Sequence, residues 1–442
     1  MKKNPRAYTL SAVLIFVTVF SILIVGIVGY LSRHIKTSST YQKKTTALGI
    51  AEAGVNYYLW HLSHQPEDYC DGQTCQGEPP YGPYEHEYKD NQGNVVGRFI
   101  LKITPPTEYG TDTTIESEAF TNSGETKKIK AKIGIPSFAQ YSFITNSEVW
   151  FGVGETSVGP LHSNIGVRMD GTNNGPVYAA NETFIPSSNI GGDRRTSQPG
   201  VYGIGGPKEL WIFPVPAVDF NRITVDLADL KTKAQDDGIY LSGSGKKGYY
   251  LHLNSNNNID AYKVTAENDS GITKTFYQTY AAPANGILFA EDNIYVDGVW
   301  NSEITIAAAK FPELASSYKS ITITNNLTYV NKDGSNKIGL IAQNNVLVPA
   351  YSPQYLEIDA AMIAEKGYVR RPYIAGNLRE KITVYGSISS NLQWTWSWGS
   401  DPTNIVSGYK QTEQIYDKNL TYYPPPSFPT TGSYAIFSWE EL

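Results

Sequence analysis

The chain opens with an uncharged, strongly apolar run from Tyr8 to Leu31. At ~1.5 Å rise per residue a helix of this length is about 36 Å long, enough to cross the ~30 Å hydrocarbon layer of a bilayer with some tilt. A helix satisfies every backbone N–H and C=O within the segment itself, as apolar surroundings require. The run therefore predicts one transmembrane helix.

A cleaved secretory signal is the main alternative for this segment. Such signals have a shorter apolar core that ends at small residues, whereas this run is long and is followed by Ser32, Arg33 and His34. The pattern favours a retained anchor.

The charges around the span are nearly balanced and do not by themselves set its orientation. Basic residues lie on both sides, at Lys2, Lys3 and Arg6 before the span and at Arg33, Lys36, Lys43 and Lys44 after it. The short tail, the two cysteines after the span and the lack of nucleotide-binding motifs favour an inside N terminus. We expect 1–35 to be a cytoplasmic tail and transmembrane helix, with the remainder exoplasmic.

Helical periodicity continues beyond the span. Apolar residues recur at three- and four-residue steps at Leu48, Ala51, Val55, Leu59 and Leu62. Pro66 follows the last of them and is a plausible stop signal. The pattern predicts one helix over about 7–62, of which 36–65 is the exoplasmic continuation.

The segment 49–60 contains the run Ala51-Glu52-Ala53-Gly54. It resembles a stretch in minor-pilin-like assembly proteins of type IV pilus systems. The resemblance implies an apolar helix that packs in a pilus core or stays in the bacterial inner membrane. The partners that it implies are membrane lipid and pilus or pseudopilus subunits, and we expect Gly26, Gly29, Glu52 and Gly54 to mark the assembly helix.

Two features depart from major pilins. The chain has no Gly-Phe cleavage site after a basic leader, and its apolar run has no early glutamate. The resemblance therefore implies a minor or accessory subunit.

Residues 66–136 alternate between polar and apolar side chains around turns. Apolar residues alternate with lysines over 127–133, and the turns at 90–94 and 122–124 are rich in Asn, Asp and Gly. Antiparallel hairpins with one solvated face are predicted here. A small sheet laid against the outer half of the helix is what the pilin resemblance implies.

From residue 137 to 442 short apolar runs alternate with Asn- and Gly-rich turns. The segments 321–326 and 340–345 share one form at a spacing of 19 residues, and a spacing of about 20 predicts the coils of a parallel β-helix. Asn325 and Asn344 would then stack as a ladder, unless they are ordinary turn residues. The stretch 200–285 is predicted to be an insertion or a set of looser coils. The fold class is thus mainly β, with a long transmembrane α-helix, a small pilin-like antiparallel sheet and a parallel β-helix (solenoid) body.

The segment 159–164 and parts of 416–441 resemble bacterial envelope proteins of unknown function that pair a pilin-like N terminus with a β-helix body. This second resemblance implies no catalytic residues.

The two cysteines, Cys70 and Cys75, are close together. A structural zinc site needs four ligands, and the nearby candidates to complete it are His61 and His64, whose spacing from the cysteines fits zinc poorly. A local disulfide is therefore favoured over a metal site or free thiols. No cofactor motif is present, and a net charge of −6 without a long basic run argues against nucleic acid as a partner.

An enzyme is the alternative class, because β-helices can carry acidic residues on neighbouring coils. A membrane-anchored polysaccharide lyase or hydrolase would draw on Asp292, Glu303, Glu357 or Asp359, or on His162 as a base. Each has a simpler interpretation, as a solvated face for the carboxylates and as a turn residue for His162. No catalytic residue is predicted.

Trp394, Trp396 and Trp398 alternate with polar residues, which predicts three indoles on one side of a strand. They would form an adhesive platform for sugar rings or a protein partner, or a cluster that closes the solenoid end. Taken together, the sequence predicts a non-enzymatic, membrane-anchored envelope protein that displays a β-solenoid for partner binding or adhesion.

Overall fold

The computed structural model describes residues 5–106, 112–399, 404–421, 423–432 and 434–442. The chain divides into two compact units. The first extends to Pro105 and adds Thr113–Gly134 and Tyr434–Leu442, and the second is Ile135–Ser433 with 106–112. The last nine residues thus belong to the first unit, which differs from the expectation that the body runs to 442.

One long helix, α1 (Pro5–His64), begins the first unit. It contains a window of mean hydropathy 2.9 in which no residue is buried, so by length and composition it qualifies as a membrane span. Phe16 and Val25 are 71% and 72% exposed, respectively. From residue 47 onward one stripe of the helix is buried, comprising Ala47, Ile50, Ala51, Val55, Tyr58 and Leu62.

An antiparallel sheet covers that stripe. Its first strands are β1 (Tyr81–Lys89), β2 (Val95–Thr104), β3 (Asp112–Thr121) and β4 (Thr126–Gly134). Because side chains alternate across a strand, residues such as Phe99, Ile115 and Ile133 face the helix. The other face carries ion pairs, among them Arg98 with Glu85 at 3.1 Å.

The second unit consists mainly of short parallel strands. Before its helix these are β5 (Phe143–Thr145), β6 (Val149–Phe151), β7 (Thr156–Val158), β8 (Leu161–Ser163), β9 (Val167–Met169), β10 (Thr172–Asn174), β11 (Val177–Ala179), β12 (Thr183–Phe184), β13 (Gln198–Pro199), β14 (Val201–Tyr202) and β15 (Trp211–Ile212). The helix is α2 (Arg222–Asp236).

Longer strands follow the helix. They are β16 (Ile239–Leu241), β17 (Gly248–Leu253), β18 (Asn258–Asn268), β19 (Gly271–Ala281), β20 (Ile287–Ala290), β21 (Ile294–Trp300), β22 (Glu303–Ala308), β23 (Ile321–Tyr329), β24 (Lys337–Ala342), β25 (Val346–Leu347), β26 (Tyr355–Ala364), β27 (Val369–Arg370), β28 (Leu378–Ser390), β29 (Ser397–Gly399) and β30 (Ile405–Tyr416). The last strand, β31 (Ala435–Glu441), returns to the first unit and pairs antiparallel with β4.

Most of the parallel strands stack in three rows, and β6, β9 and β14 form a separate parallel sheet. Row A runs β16, β20, β22, β24, β26, β28, β5, β8, β11 and β15. Row B runs β17, β21, β23, β25 and β27. Row C begins with the second halves of β21 and β23 and continues through β26, β28, β30, β7 and β10.

All three rows contribute to one apolar core. Leu340 of row A, Ile323 of row B and Leu356 of row C belong to the same buried cluster. Row A is also covered on its outer side, because Ile223, Leu227 and other residues of α2 pack against Ile287, Phe289, Ile341 and Ile363. Burial on both sides explains why the row A parts of β20, β24 and β26 are continuous apolar runs rather than alternating ones.

The order of strands in row A differs from their order in the chain. The first strand of the body, β5, lies beside the late strand β28, with Phe143 opposite Ile388. From β5 the chain adds strands in one direction as far as β15, passes through α2, and restarts at the far end of the row with β16.

The predicted 19-residue spacing is wrong in register. Ile321 pairs with Val346 in row B, whereas Leu340 pairs with Ile306 and Met362 in row A. Successive corners in row B, at Asn293, Ser320 and Asn345, are 27 and 25 residues apart. One step along row B therefore takes more residues than the sequence spacing suggested.

The predicted ladder of Asn325 and Asn344 is wrong for the same reason. Asn325 lies within β23 and Asn344 follows β24, so they follow different rows. Asparagine ladders form elsewhere: the Asn146 amide donates to Asn391 at 2.9 Å, and the Asn164 amide donates to Asn146 at 2.8 Å. These side-chain amides hydrogen-bond to one another at the corner that follows the row A strands.

The stretch 200–285 contains both stacked strands and additions. β15, β16 and β17 belong to the rows, α2 covers row A, and β18 with β19 forms an antiparallel hairpin that pairs with β17. It is therefore an interruption of the stacking by one helix and one hairpin.

Candidate functional site

The most distinctive surface of the described chain is the uncovered part of α1. Large apolar side chains from Leu10 to Leu31 are all about half exposed or more. A soluble domain rarely leaves so large an apolar surface in water. An added Cβ at Gly26 or Gly29 would meet nothing within 4 Å, so the helix backbone is open at both glycines.

The polar continuation of α1 is also open. Arg33, Lys36, Lys43 and Lys44 are exposed and lie directly after the apolar part. Glu52 is exposed as well, on the side of the helix away from the sheet. Of the four residues predicted to mark the assembly helix, Gly26, Gly29 and Glu52 are accessible to a partner.

Gly54 has a different role, because it faces the sheet. A Cβ at this position would lie 2.3 Å from Ser117 Oγ and 2.9 Å from a ring carbon of Phe99. Glycine therefore lets α1 approach the sheet closely. Within the Ala-Glu-Ala-Gly run, Ala51 and Gly54 are buried and Glu52 is exposed to solvent.

The cysteines form a disulfide in a loop that contacts α1. Cys70 is joined to Cys75, so neither thiolate is left for the zinc alternative. Asp68 accepts hydrogen bonds from the backbone N–H of Cys70 at 3.0 Å and of Gly72 at 2.8 Å, and it pairs with His61 Nε2 at 3.0 Å. The loop is thereby fastened to the last turns of the helix.

Asp71 makes a second attachment of the same loop. Its carboxylate accepts a hydrogen bond from the Tyr57 hydroxyl at 2.9 Å and contacts His86 Nε2 at 2.8 Å. Burial, followed by the hydrogen bond to Asp71, raises the pKa of Tyr57 to about 12. The phenol therefore stays protonated and keeps donating to Asp71 at physiological pH.

Replacing both cysteines by serine is expected to destabilise the first unit by about 2 kcal/mol, because the open loop gains chain entropy in the unfolded state. Thermal unfolding of the full chain in detergent measures this as a lower melting temperature for that unit. A Ser63→Ala change on exposed helix serves as the control and is expected to shift it little. Equal melting temperatures for the double variant and the wild type would contradict the expectation.

The four candidate carboxylates lie in different settings. Asp292 is buried and accepts from the Ser244 hydroxyl at 2.6 Å, Glu303 pairs with Lys337, and Asp359 pairs with Lys332 at 2.7 Å. Glu357 is the exposed member. Asp292 precedes row B and Glu303 begins a row A strand, whereas Glu357 and Asp359 lie two residues apart on the row C part of β26.

His162 lies on the outer side of row A beside an open hollow of about 420 Å³. Its Nε2 contacts Asn164 Oδ1 at 2.8 Å, and burial lowers its pKa. The adjacent Ser163 hydroxyl donates to the Ser147 carbonyl at 2.8 Å instead of to the imidazole. Both side chains therefore make hydrogen bonds that hold the turn after β8, and Ser163 is not placed to act as a nucleophile activated by His162.

The predicted platform of three tryptophans is corrected by the structure. Trp394 and Trp396 are 6% and 1% exposed and belong to the core, where their rings are 6.2 Å apart at an interplanar angle of 83°. Trp398 is half-buried and donates its indole N–H to the Arg371 carbonyl at 2.9 Å. Trp394 and Trp396 precede β29 and point into the core, whereas Trp398 lies within β29, so the three indoles do not form one exposed face of a strand.

Glu155 is a residue that sequence reasoning missed, because one acidic residue in a Gly-rich turn is unremarkable. Its carboxylate accepts a hydrogen bond from the Gly152 N–H at 2.7 Å just before β7. Burial raises the pKa of Glu155 to about 7, while the Gly152 bond opposes the rise. The folded protein therefore holds this proton more tightly than the unfolded chain does.

Stability of the second unit is consequently expected to fall as pH rises from about 4.5, the usual pKa of the group, to about 7, where the folded group ionises. Glu155→Gln removes this ionisation, so its melting temperature should exceed that of the wild type by more at pH 8 than at pH 5. The exposed Glu182→Gln is the matched control and should show no such trend. A constant difference between the Glu155 variant and the wild type would contradict the prediction.

The likeness of this chain to known proteins is weak. No protein-family model matches the chain, and no curated protein does. The competence-associated pilin ComZ from Thermus thermophilus aligns over 90% of this chain and 97% of its own at 13% identity, with a TM-score of 0.31. This degree of likeness is too low to transfer an architecture or a role.

Among the described residues, no group of three or more His, Cys, Asp or Glu side chains is placed to hold a metal ion.

Proposed function

We propose that this chain is a non-enzymatic, single-pass component of the bacterial envelope, an accessory subunit of a type IV pilus or a related assembly system. In this proposal the apolar part of α1 lies in the inner membrane or in a helical filament core. The second unit is displayed on the exoplasmic side as a parallel β-helix whose faces are rows A, B and C.

The observation that carries the proposal is the division of α1 into a covered half and an uncovered half. Residues 47–62 bury an apolar stripe against the sheet, whereas residues 10–31 are apolar all round and stay exposed along their length. A helix that is hydrophobic on every side is stable in lipid or among other helices, not in water. The covered half then fixes the helix to the folded unit.

The resemblance of residues 49–60 to minor-pilin-like proteins supports the choice of system. In this proposal Gly26 and Gly29 allow close approach of neighbouring helices, and Glu52 offers an exposed charge to a neighbouring subunit. The disulfide between Cys70 and Cys75 supports an oxidising, exoplasmic location for the part of the chain after the span.

Membrane association tests the anchoring step. Wild-type protein should stay in the membrane fraction after alkaline carbonate extraction. The double variant Phe16→Lys with Leu23→Lys places two charges in the span at a cost of about 5–7 kcal/mol and should shift most of the protein into the extract. The double variant Thr37→Lys with Thr40→Lys, on the polar part of the same helix, is the matched control and should behave as wild type.

Extraction of the wild type by carbonate, or retention of the Phe16 and Leu23 double variant, would overturn the anchoring step. Sheared and purified pili test the second step, because an accessory subunit should co-purify with them at a low ratio to the main subunit. Absence from filaments together with retention in membranes would leave an anchored envelope protein and reject the pilus assignment.

A further inference from the structure

A row of polar side chains crosses five adjacent strands on the outer side of row B and its hairpin. His252 of β17 lies opposite Asp297 of β21 on one side and Asp260 of β18 on the other. Thr279 of β19 is opposite Asp260, and the Thr324 hydroxyl of β23 donates to Asp297 at 2.8 Å. Threonine, carboxylate, imidazole, carboxylate and threonine thus follow one another across the sheet.

The buried end of this row is tightly organised. Asp297 is 7% exposed. It accepts hydrogen bonds from the Tyr250 hydroxyl at 2.7 Å and contacts His252 Nδ1 at 2.7 Å. A carboxylate that holds Nδ1 fixes the orientation of the imidazole and turns Nε2 away from it.

The other end of the row is open. The His252 side chain is 44% exposed, and its Nε2 has no hydrogen-bond partner within the described ranges. Asp260 accepts from the Thr279 hydroxyl at 2.6 Å and from the Asn254 amide at 3.0 Å, which holds its carboxylate at the sheet surface. A fixed carboxylate and a fixed imidazole nitrogen therefore stand side by side at the surface.

Aromatic rings run beside the polar row, two residues away on β21, β17 and β18 and, past a bulge, three residues away on β19. Tyr295, Tyr250, Tyr262 and Phe276 occupy neighbouring strands in that order. The rings of Tyr262 and Phe276 are 5.5 Å apart in an edge-on arrangement, and Phe276 is 62% exposed. The line of aromatic rings therefore ends at Phe276, whose ring is exposed to solvent.

The far part of the hairpin keeps this face in place. Glu267 near the turn accepts hydrogen bonds from the Tyr295 hydroxyl at 2.7 Å and the Tyr351 hydroxyl at 3.2 Å, and Lys274 Nζ lies 3.0 Å from the centre of the Tyr250 ring. The hairpin is thus tied to the coils at two points, so that the exposed groups near Phe276 stand on an ordered support.

We propose that this outer face of β17, β18 and β19 binds a neutral saccharide, one ring of which stacks on Phe276 while its hydroxyls bond to Asp260 and His252. A hydroxyl both donates and accepts, so it matches a carboxylate and an imidazole nitrogen placed together. The C–H face of a sugar ring matches an exposed aromatic face. The Asp260 carboxylate at the surface would repel the carboxylate of a uronic acid bound beside it, so the proposal commits to a neutral saccharide.

The inference deepens the proposed function by giving the displayed body a ligand class, and for its biological use it rests on that function. Binding itself is a property of the purified chain and does not require anchoring. A failure of saccharide binding therefore leaves the membrane result untouched, and a failure of anchoring leaves the binding result untouched.

Titration calorimetry of the full chain in a detergent without sugar headgroups tests the proposal. The probes are a β-1,4-linked glucose tetramer, its N-acetylated counterpart and tetragalacturonate. We expect at least one neutral tetramer to bind and the charged tetramer to give no signal. Binding of one neutral probe and not the other distinguishes a glucan from an N-acetylated wall glycan as the source.

Phe276→Ala is expected to weaken binding about tenfold, and Asp260→Asn to weaken it several-fold. Tyr355→Ala removes an aromatic ring that is 65% exposed on another strand, β26, and is the matched control with unchanged binding. Unchanged melting temperatures show that the variants remain folded. Binding of neither neutral probe, preference for tetragalacturonate, or equal loss in the Tyr355 variant would overturn the proposal.

Discussion

Replacing Trp300 by alanine is expected to lower the free energy of unfolding of the second unit by about 3–5 kcal/mol. Trp300 is fully buried and lies opposite Tyr329 on the neighbouring strand in row C, within the core that all three rows share. Its removal leaves a cavity that neighbouring strands cannot fill, because their backbones are fixed to strands above and below. Thermal unfolding in detergent measures the loss.

Val299→Ala is the matched control for this variant. Val299 is the preceding residue on the same strand and is 39% exposed, so its truncation should cost far less. Similar losses for the two variants would show that the inward and outward sides of β21 are wrongly assigned. The three-row core would then need revision.

Gly54→Ala is expected to destabilise the first unit by about 1–3 kcal/mol, although alanine is the better helix former by about 1 kcal/mol. The added methyl group would overlap the Phe99 ring and the Ser117 hydroxyl. The hydroxyl can rotate away, but the ring lies in the apolar cluster between helix and sheet. The helix must therefore move off the sheet or the ring must leave its position.

Gly49→Ala gives the opposite expectation on the same helix. A Cβ at Gly49 meets nothing within 4 Å, so this variant should gain about 0.5–1 kcal/mol from helix propensity alone. Calorimetric unfolding of both variants measures the sign of each change in stability directly. If both changes stabilise the unit, the close approach of α1 to the sheet at Gly54 is wrong.

The helix was the most predictable element, because its signals are local. The apolar run and the period from Leu48 to Leu62 predicted about 7–62, and α1 spans Pro5–His64. Alternation over 127–133 likewise placed β4 with one face buried. In both cases the period of the apolar residues, about 3.6 for a helix and about 2 for a strand, already shows which side chains share the buried face.

The stacking of the body was less predictable, because register depends on contacts between distant residues. Apolar runs such as those at Ile321 and Leu340 look alike in sequence, yet they belong to row B and row A. The pairing of β5 with β28 joins residues at opposite ends of the body, and nothing in the local pattern of Phe143 or Ile388 indicates it.

The candidate sites failed or succeeded according to which side of a strand they face. Trp394 and Trp396 lie in the irregular segment before β29, and both indoles are buried in the core instead of being exposed to a ligand. The saccharide surface escaped prediction because His252, Asp260 and Asp297 are separated in sequence and meet only through strand pairing.

Thiol accessibility at two serines of α1 tests the central claim most directly. Ser21→Cys lies in the apolar half of the helix and Ser39→Cys in the polar half. In intact cells a membrane-impermeant maleimide should label the Ser39 variant, and it should label the Ser21 variant only after detergent is added. Equal labelling of both variants without detergent, or labelling of neither until the cells are lysed, would contradict an anchored helix with an exoplasmic body.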